Sequence, residues 1–434
     1  MSYFRFFPDV QFIAGPARGT IYHLSRARTY HLTLSQTAVV NDLVSNQPVA
    51  LVLSKHDPGG KAMLDRLVCM GFGTFYSTPV FSEPYFPKCK FTIRGLLEPP
   101  PAMRIAYLQL ADDLGGAECD CIDVTDYHAW QGCNSCLRWR PGAKGHRLNL
   151  KDIEATIDGL VRYNVQCAVF SGGDAFADPD LLLGVASRFK EGHSGIVLKV
   201  NSSGRHLLDR TVRTIQEFGV IPIFSVFGAN EDHYRQVTGD EMLYRRLREA
   251  INLCKDYRIK YEITMVVPAS LRHAYQAIWR FASSLDGQAL YYTEQIPKNG
   301  PPIRPQSQCP GDLRVRDVGA QEFFKRQTSS FCLNGNIAVA ADGSILPCPF
   351  WPKALGNIHS EHNLLHVFRM GIINQYWEMN KDTVPGCSNC ENRYACVDCG
   401  LLEWAARESL PEQRRFCGYH PELGEWSDGE TVSS

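Results

Sequence analysis

The chain has 434 residues, 44% hydrophobic and 21% charged, enough for about two to four domains with sizeable cores. Lys and Arg number 45 against 46 Asp and Glu, a net charge of −1, which excludes a whole-chain drive toward nucleic acid or an anionic membrane. No apolar run approaches the roughly 18 residues of a membrane span, and the start MSYFRFFPDVQF lacks a secretory pattern, so a cytoplasmic protein is expected.

In chain order, residues 1–98 read as a compact strand-plus-helices module, winged-helix-like in outline. Tyr30-His31-Leu32-Thr33-Leu34-Ser35 precedes a helical stretch over 36–46, and a second helix is expected over 60–70. Leu97-Glu98-Pro99-Pro100-Pro101 follows, and three prolines in a row make a stiff joint. Residues 102–300 then alternate short apolar runs with helical patterns. The expected strands are 104–110, 165–170, 195–200, 220–226, 261–267 and 289–296, rich in β-branched and aromatic residues as in strands buried on both faces. Between them Leu150, Ile153, Ile157, Leu160 and Val161 share one helical face, with Asn149 as its N-cap. Leu243, Leu247, Ala250, Ile251 and Cys254 share a second, and Leu271, Tyr275, Ile278 and Phe281 a third. This predicts an α/β fold with a parallel sheet, either a partial (β/α)6 TIM-like barrel or an open doubly wound sheet, binding ligands at the strands' carboxyl ends. Residues 301–434 form a Cys-rich third block with little long periodicity.

Sixteen cysteines are the anomaly. In a reducing compartment, clustered thiols bind metal more often than they form disulfides. Cys119 and Cys121 follow the first expected strand of the middle region, and Cys133-Asn134-Ser135-Cys136 comes next, a C-x2-C pair able to chelate one metal. All four thiols could instead close a zinc site. Ser171-Gly172-Gly173-Asp174 sits where a buried strand ends, with glycines that let a ligand approach the backbone and a carboxylate beside them. Cys332, Cys348, Cys387, Cys390, Cys396, Cys399 and Cys417 form the largest cluster, in loops rich in Gly, Pro and Asn. Spacing alone suits either a zinc ribbon or iron–sulfur ligation.

These motifs together resemble a radical S-adenosylmethionine (radical SAM) enzyme with a C-terminal SPASM domain, over roughly residues 104–420. Cys332-x10-Gly343-x4-Cys348, Cys387-x2-Cys390-x5-Cys396 and a final Cys417 match that family's auxiliary-cluster pattern, with Cys396-x2-Cys399 one residue short. Ser171-Gly172-Gly173-Asp174 is similar to its SGGE motif, one methylene shorter at the acid. The usual C-x3-C-x2-C is altered, because Ala129 stands four residues before Cys133. Either Cys121 or Cys119 supplies the third thiol, and stretching the loop from three residues to about thirteen costs only about 1.3 kcal/mol of closure entropy.

The resemblance implies three [4Fe–4S] clusters and S-adenosyl-L-methionine. Cys133, Cys136 and one of Cys119 or Cys121 would hold the radical SAM cluster, whose open iron chelates the cofactor and yields a 5′-deoxyadenosyl radical. Gly172, Gly173, Asp174, Asn201 and Ser225 are the candidate cofactor-binding residues. Cys387, Cys390, Cys396 and Cys417 would hold one auxiliary cluster. Cys332, Cys348 and Cys399 would hold the other, completed by Cys309 or left with an open iron. Cys69, Cys89, Cys167 and Cys254 are expected to be buried small hydrophobes. The expected function is a peptide maturase acting on a ribosomally made precursor whose leader binds residues 1–98, with an electron donor such as a flavodoxin or ferredoxin. The competing readings are a maturase of a folded protein, of the sulfatase-maturing kind, and a zinc-stabilised peptide-binding scaffold.

Overall fold

A computed structural model of the chain describes residues 1–56, 59–81, 103–110, 146, 148–171, 174–192, 195–267, 269–294, 315–330, 333–349, 351, 353–396 and 419–426. The chain divides into two compact units, one of Met1–Leu96, Ser307–Phe331 and Glu378–Ser434, the other of Leu97–Gln306 and Cys332–Trp377. The Cys-rich stretch read as a third block thus contributes to both units.

The first unit opens with strands β1 (Tyr3–Phe6), β2 (Val10–Ala14), β3 (Gly19–His23) and β4 (Arg28–Leu32). Three helices follow, α1 (Leu34–Val44), α2 (Val49–Lys55) and α3 (Gly60–Cys69), and then β5 (Gly73–Tyr76). Strands β2, β3 and β4 form an antiparallel meander, while β5 returns to pair with β1. Thr33 starts α1 with a reciprocal cap, its hydroxyl accepting from Gln36 N while the Gln36 amide accepts from Thr33 N. The core beneath is apolar, built on Ile21, Leu32, Val40, Val52, Leu64 and Phe72. Cys69, expected inside, is exposed. It lies two residues past buried Leu67, about 200° further round the helix, on the side turned from that core.

A second core joins this meander to the cysteine-bearing segments of the same unit. Tyr22 packs on Phe323 of the helix Ala320–Thr328 with ring centroids 5.0 Å apart, and Phe323 packs on Tyr394 at 4.8 Å. Leu24, Val318 and Ala395 complete it.

The second unit carries the six expected strands, β6 (Ile105–Gln109), β7 (Cys167–Ser171), β8 (Val197–Ser202), β9 (Ile221–Val226), β10 (Glu262–Val267) and β11 (Leu290–Glu294). They lie side by side in sequence order, every neighbouring pair parallel. A doubly wound sheet must reverse its strand order, so this order selects the partial barrel, an open arc with its helices on one face. The helices between the strands are α4 (Leu150–Arg162), α5 (Pro179–Gly192), α6 (Asp209–Phe218), α7 (Glu231–Thr238), α8 (Met242–Asp256) and α9 (Tyr275–Ser284). Asn149 caps α4 as expected, accepting from Asp152 N at 3.0 Å.

The sheet continues past β6. Strand β12 (Asn336–Val339) pairs parallel with β6, then β13 (Ser344–Leu346) and β14 (Gly356–Asn357) add antiparallel. Gln109 ties this extension to the barrel by accepting from Ala341 N at 3.2 Å.

Candidate active site

The parallel register sorts the sheet into two faces, because side chains alternate along each strand. One face is apolar up to Ser202 at the end of β8: Ala106, Leu108, Ala168, Phe170, Leu198, Val200, Phe224, Ile263 and Met265 are all buried. The opposite face holds Ser171, Lys199, Asn201, Ser225, Glu262 and Thr264, brought level by the pairings Val169↔Lys199, Asn201↔Ile223 and Ser225↔Thr264. A buried polar face costs free energy unless its groups are paired or engage a ligand. It is the chemically informative surface of the unit.

Asp174 stands just beyond β7 and caps the short turn Ala175–Ala177, its Oδ1 accepting from Phe176 N at 3.2 Å. Two hydroxyls from the end of β8 converge on the same carboxylate. Ser202 Oγ lies 3.0 and 3.1 Å from its two oxygens, and Ser203 Oγ donates to Oδ2 at 2.9 Å. Those hydroxyls are themselves oriented, since Ser202 Oγ accepts from Gly204 N at 2.9 Å and Ser203 Oγ from Arg205 N at 3.4 Å. The chain there turns through Gly204 at φ +87°, where a side chain would meet the backbone of Leu247.

Asn201 and Ser225 are buried within strands β8 and β9, near the carboxyl ends. The structure therefore brings three of the five expected cofactor-binding residues to one end of the sheet. Gly172 and Gly173 lie outside the described residues. Ser171, immediately before them, is fully buried with a hydroxyl that has no hydrogen-bond partner among the described residues. A buried hydroxyl with no partner among the described residues, three positions before a carboxylate at the same strand end, fits a site for a polar ligand carrying an ammonium group.

Sequence reading missed Ser202, Ser203 and a charged pair on the polar face. Lys199 Nζ donates to both oxygens of Glu262, at 2.7 and 2.8 Å, reaching from β8 across β9 to β10. Their side chains are only 19% and 9% exposed. The alternation in Val197-Leu198-Lys199-Val200-Asn201-Ser202 carried the signal, setting Lys199 and Asn201 on the face opposite Leu198 and Val200. Cys167 lies at the foot of this face, its thiol pushed up to about 11 by burial, with Lys199 pulling it down and Glu262 pushing it up. Cys254 is buried on α8 and burial alone pushes it up to about 12. Both thiols stay protonated near neutral pH and behave as small hydrophobes.

Of the expected cluster ligands, Cys119, Cys121, Cys133, Cys136, Cys309, Cys332, Cys399 and Cys417 lie outside the described residues, as does Cys89. Cys348 follows β13 in the barrel unit and is half-buried. Gly343, the glycine of the Cys332–Cys348 motif, makes the β12–β13 turn at φ +79°. A side chain there would press on His359.

Cys387, Cys390 and Cys396 are buried in the first unit, in one tight loop. Cys390 N donates to Cys387 O at 2.9 Å and Cys396 N to Asn392 O at 2.8 Å. Arg326 and Lys381 both donate to the Cys396 carbonyl. The hydroxyl of Tyr22 is held well above its ordinary pKa by burial first and by Cys390 next, with Cys396 adding to the shift. Three buried thiols on one loop are the donor chemistry of an iron–sulfur centre. Among the described residues, no three His, Cys, Asp or Glu side chains are gathered as a metal site.

Comparison with known proteins bears on the barrel. The Radical SAM superfamily model matches residues 130–272. The solved structure of anSMEcpe with bound AdoMet superposes with a TM-score of 0.53 at 13% identity, covering 74% of this chain and 95% of that one. The same protein with AdoMet and the Cp18Cys peptide gives 0.52 at 14% identity, covering 74% and 96%. SuiB of Streptococcus suis bound to precursor peptide SuiA covers 95% of this chain and 99% of its own at 11% identity, with a TM-score of 0.45. That last superposition is too loose to fix a fold. No curated protein sequence matches the chain. No helix among the described residues is long and apolar enough to cross a membrane. The chain thus carries a radical SAM domain, built on the partial α/β barrel whose carboxyl edge holds Asp174, Asn201 and Ser225.

Proposed function

We propose that the protein is a radical SAM/SPASM peptide maturase that installs a crosslink or backbone modification in a ribosomally made precursor. The observation that carries the reading is the Asp174 carboxylate, held by Ser202, Ser203 and the Phe176 amide, with the Ser171 hydroxyl unpartnered among the described residues, at the carboxyl edge of the strands within the radical SAM match. That arrangement suits the ammonium group of S-adenosyl-L-methionine, a charge-assisted contact. Gly172 and Gly173 would let the cofactor's methionine moiety approach the backbone. Asn201 and Ser225, buried in neighbouring strands, would bind its polar groups. Cys133, Cys136 and one of Cys119 or Cys121 would hold the radical SAM cluster, which when bound supplies one-electron cleavage of the cofactor to a 5′-deoxyadenosyl radical. The chain's own task is to orient that carbon against one substrate hydrogen and to exclude water.

The auxiliary clusters would rest on Cys387, Cys390, Cys396 and Cys417, and on Cys332, Cys348 and Cys399 with or without Cys309. An electron donor such as a flavodoxin or ferredoxin would reduce the protein in the cytoplasm. The peptide reading draws support from anSMEcpe, which shares the fold and was solved with a peptide. It also draws on the strand-plus-helices module at 1–76, a winged-helix-like candidate for leader recognition by strand addition.

Mass spectrometry after anaerobic incubation with the precursor peptide encoded beside the gene tests the substrate. A mass change that needs S-adenosylmethionine and reductant is expected. An unchanged peptide, with a folded sulfatase modified instead, would overturn the peptide reading.

A further inference from the structure

We infer that the N-terminal meander is a structural wall of the cysteine loop at 387–396, with Tyr22 its positioning residue, so that metal held by the loop and order in β3 are coupled. The inference rests on the auxiliary-cluster part of the proposed function.

Four contacts within the first unit carry it. Tyr22, fully buried in β3, donates its hydroxyl to the carbonyl of Glu391 at 2.6 Å, on the residue that follows Cys390. Thr20, two residues before it on the same face of β3, donates to Asn392 Oδ1 at 2.9 Å. Asn392 in turn accepts the backbone N–H of Cys396. The Glu391 carboxylate closes the contact from the other side, one oxygen taking the Tyr419 hydroxyl and the other lying where any side chain at Gly15 would stand. The meander thus touches the segment between Cys390 and Cys396, its backbone through Tyr22 and its side chains through Thr20 and the β2–β3 turn.

The meander's backbone pairs run from Val10↔His23 to Gly19↔Leu32 without these side chains, although the Thr20 hydroxyl also meets His31 Nδ1 on β4 at 3.2 Å. Burying a tyrosine hydroxyl and a threonine hydroxyl is costly unless their partners stay in place. The acceptors at Glu391 and Asn392 stay in place only while the loop keeps its shape. Metal that fixes the loop therefore fixes the acceptors on which β3 depends, and by linkage an ordered β3 favours the metal-holding shape.

Hydrogen–deuterium exchange on the full chain tests this, prepared without oxygen, with and without ferrous iron and sulfide. Loading should slow amide exchange at 387–396 and also at 19–23, the latter by about fivefold or more, the lower end of ordinary coupling between sites. Tyr22→Phe should remove the iron-dependent slowing at 19–23 while β5 and α1 exchange as in wild type. A merely structural tyrosine would speed exchange equally with and without iron. Should that variant fold poorly, Thr20→Val deletes the second contact and should give the same loss. Cys387→Ala/Cys390→Ala should abolish the slowing at both segments. Slowing confined to 387–396, absent from both segments, or equal in wild type and Tyr22→Phe would overturn the inference. Failure of the radical reading would show separately, as wild-type protein that makes no 5′-deoxyadenosine.

Discussion

Asp174 concentrates the site's chemistry in one side chain. It accepts from three donors, two of them the buried hydroxyls of Ser202 and Ser203. Asp174→Ala would strip all three and leave two buried O–H donors without this acceptor, at about 1–3 kcal/mol for each donor left unsatisfied. The expected outcome is at least about a tenfold weaker affinity for S-adenosylmethionine, or about 1.4 kcal/mol, measured by calorimetry on the reconstituted protein. Unchanged affinity would remove Asp174 from the cofactor site. His23 gives a second residue-scale expectation. Burial lowers its pKa from 6.5, and Asp9 raises it in part while Arg26 and Arg28 lower it. The unfolded chain then takes up a proton at a higher pH than the folded one. The stability present above 6.5 is lost as pH falls through that value and levels off once the folded imidazole charges. Urea midpoints of the N-terminal module should drop on acidification, and His23→Gln should flatten the drop. Equal slopes in both proteins would contradict it.

At the scale of elements, much was legible. All six barrel strands overlap the apolar runs read from sequence, with β7 and β8 ending one and two residues beyond them, because strands buried on both faces announce themselves by composition. The cap at Asn149 and the buried stripe Leu243, Leu247, Ala250, Ile251 and Cys254 followed from helical period. Leu150 did not follow it, being 42% exposed at the first turn of α4. Strands β1, β2, β3 and β5 were missed, since four- and five-residue segments such as Tyr3-Phe4-Arg5-Phe6 carry too few alternations to stand out. The glycine of the Cys332–Cys348 motif belongs to this scale too. Gly343 turns β12 into β13 through a left-handed backbone, and an added methyl would meet the His359 ring at 2.6 Å. Gly343→Ala should cost about 1–2 kcal/mol from the backbone alone. That corresponds to a fall of roughly 3–6 °C in the melting temperature of the barrel unit by calorimetry. A melting temperature unchanged within a degree would show that the turn relaxes freely.

At the scale of the molecule, sequence distance proved a poor guide to company. Residues 1–98 and the Cys-rich stretch read as separate blocks. Yet Tyr22, Phe323 and Tyr394 share one core, and Asn336–Val339 pairs with β6 as though part of the barrel. Neither link leaves a local pattern, because each depends on which of several apolar segments meet after some two to four hundred residues of chain. The polar face of the barrel was hidden for a related reason. Lys199 and Glu262 are 63 residues apart, and only the parallel register sets them opposite each other across β9.

The central claim is that this barrel cleaves S-adenosylmethionine reductively at a cluster held by Cys133 and Cys136. Its most direct test is chromatography of 5′-deoxyadenosine from anaerobically iron-loaded protein given S-adenosylmethionine and dithionite, beside Cys133→Ala and Cys136→Ala. Wild type should form 5′-deoxyadenosine and both variants should form none. Iron-loaded wild type that forms none, or variants that form as much, would contradict the account.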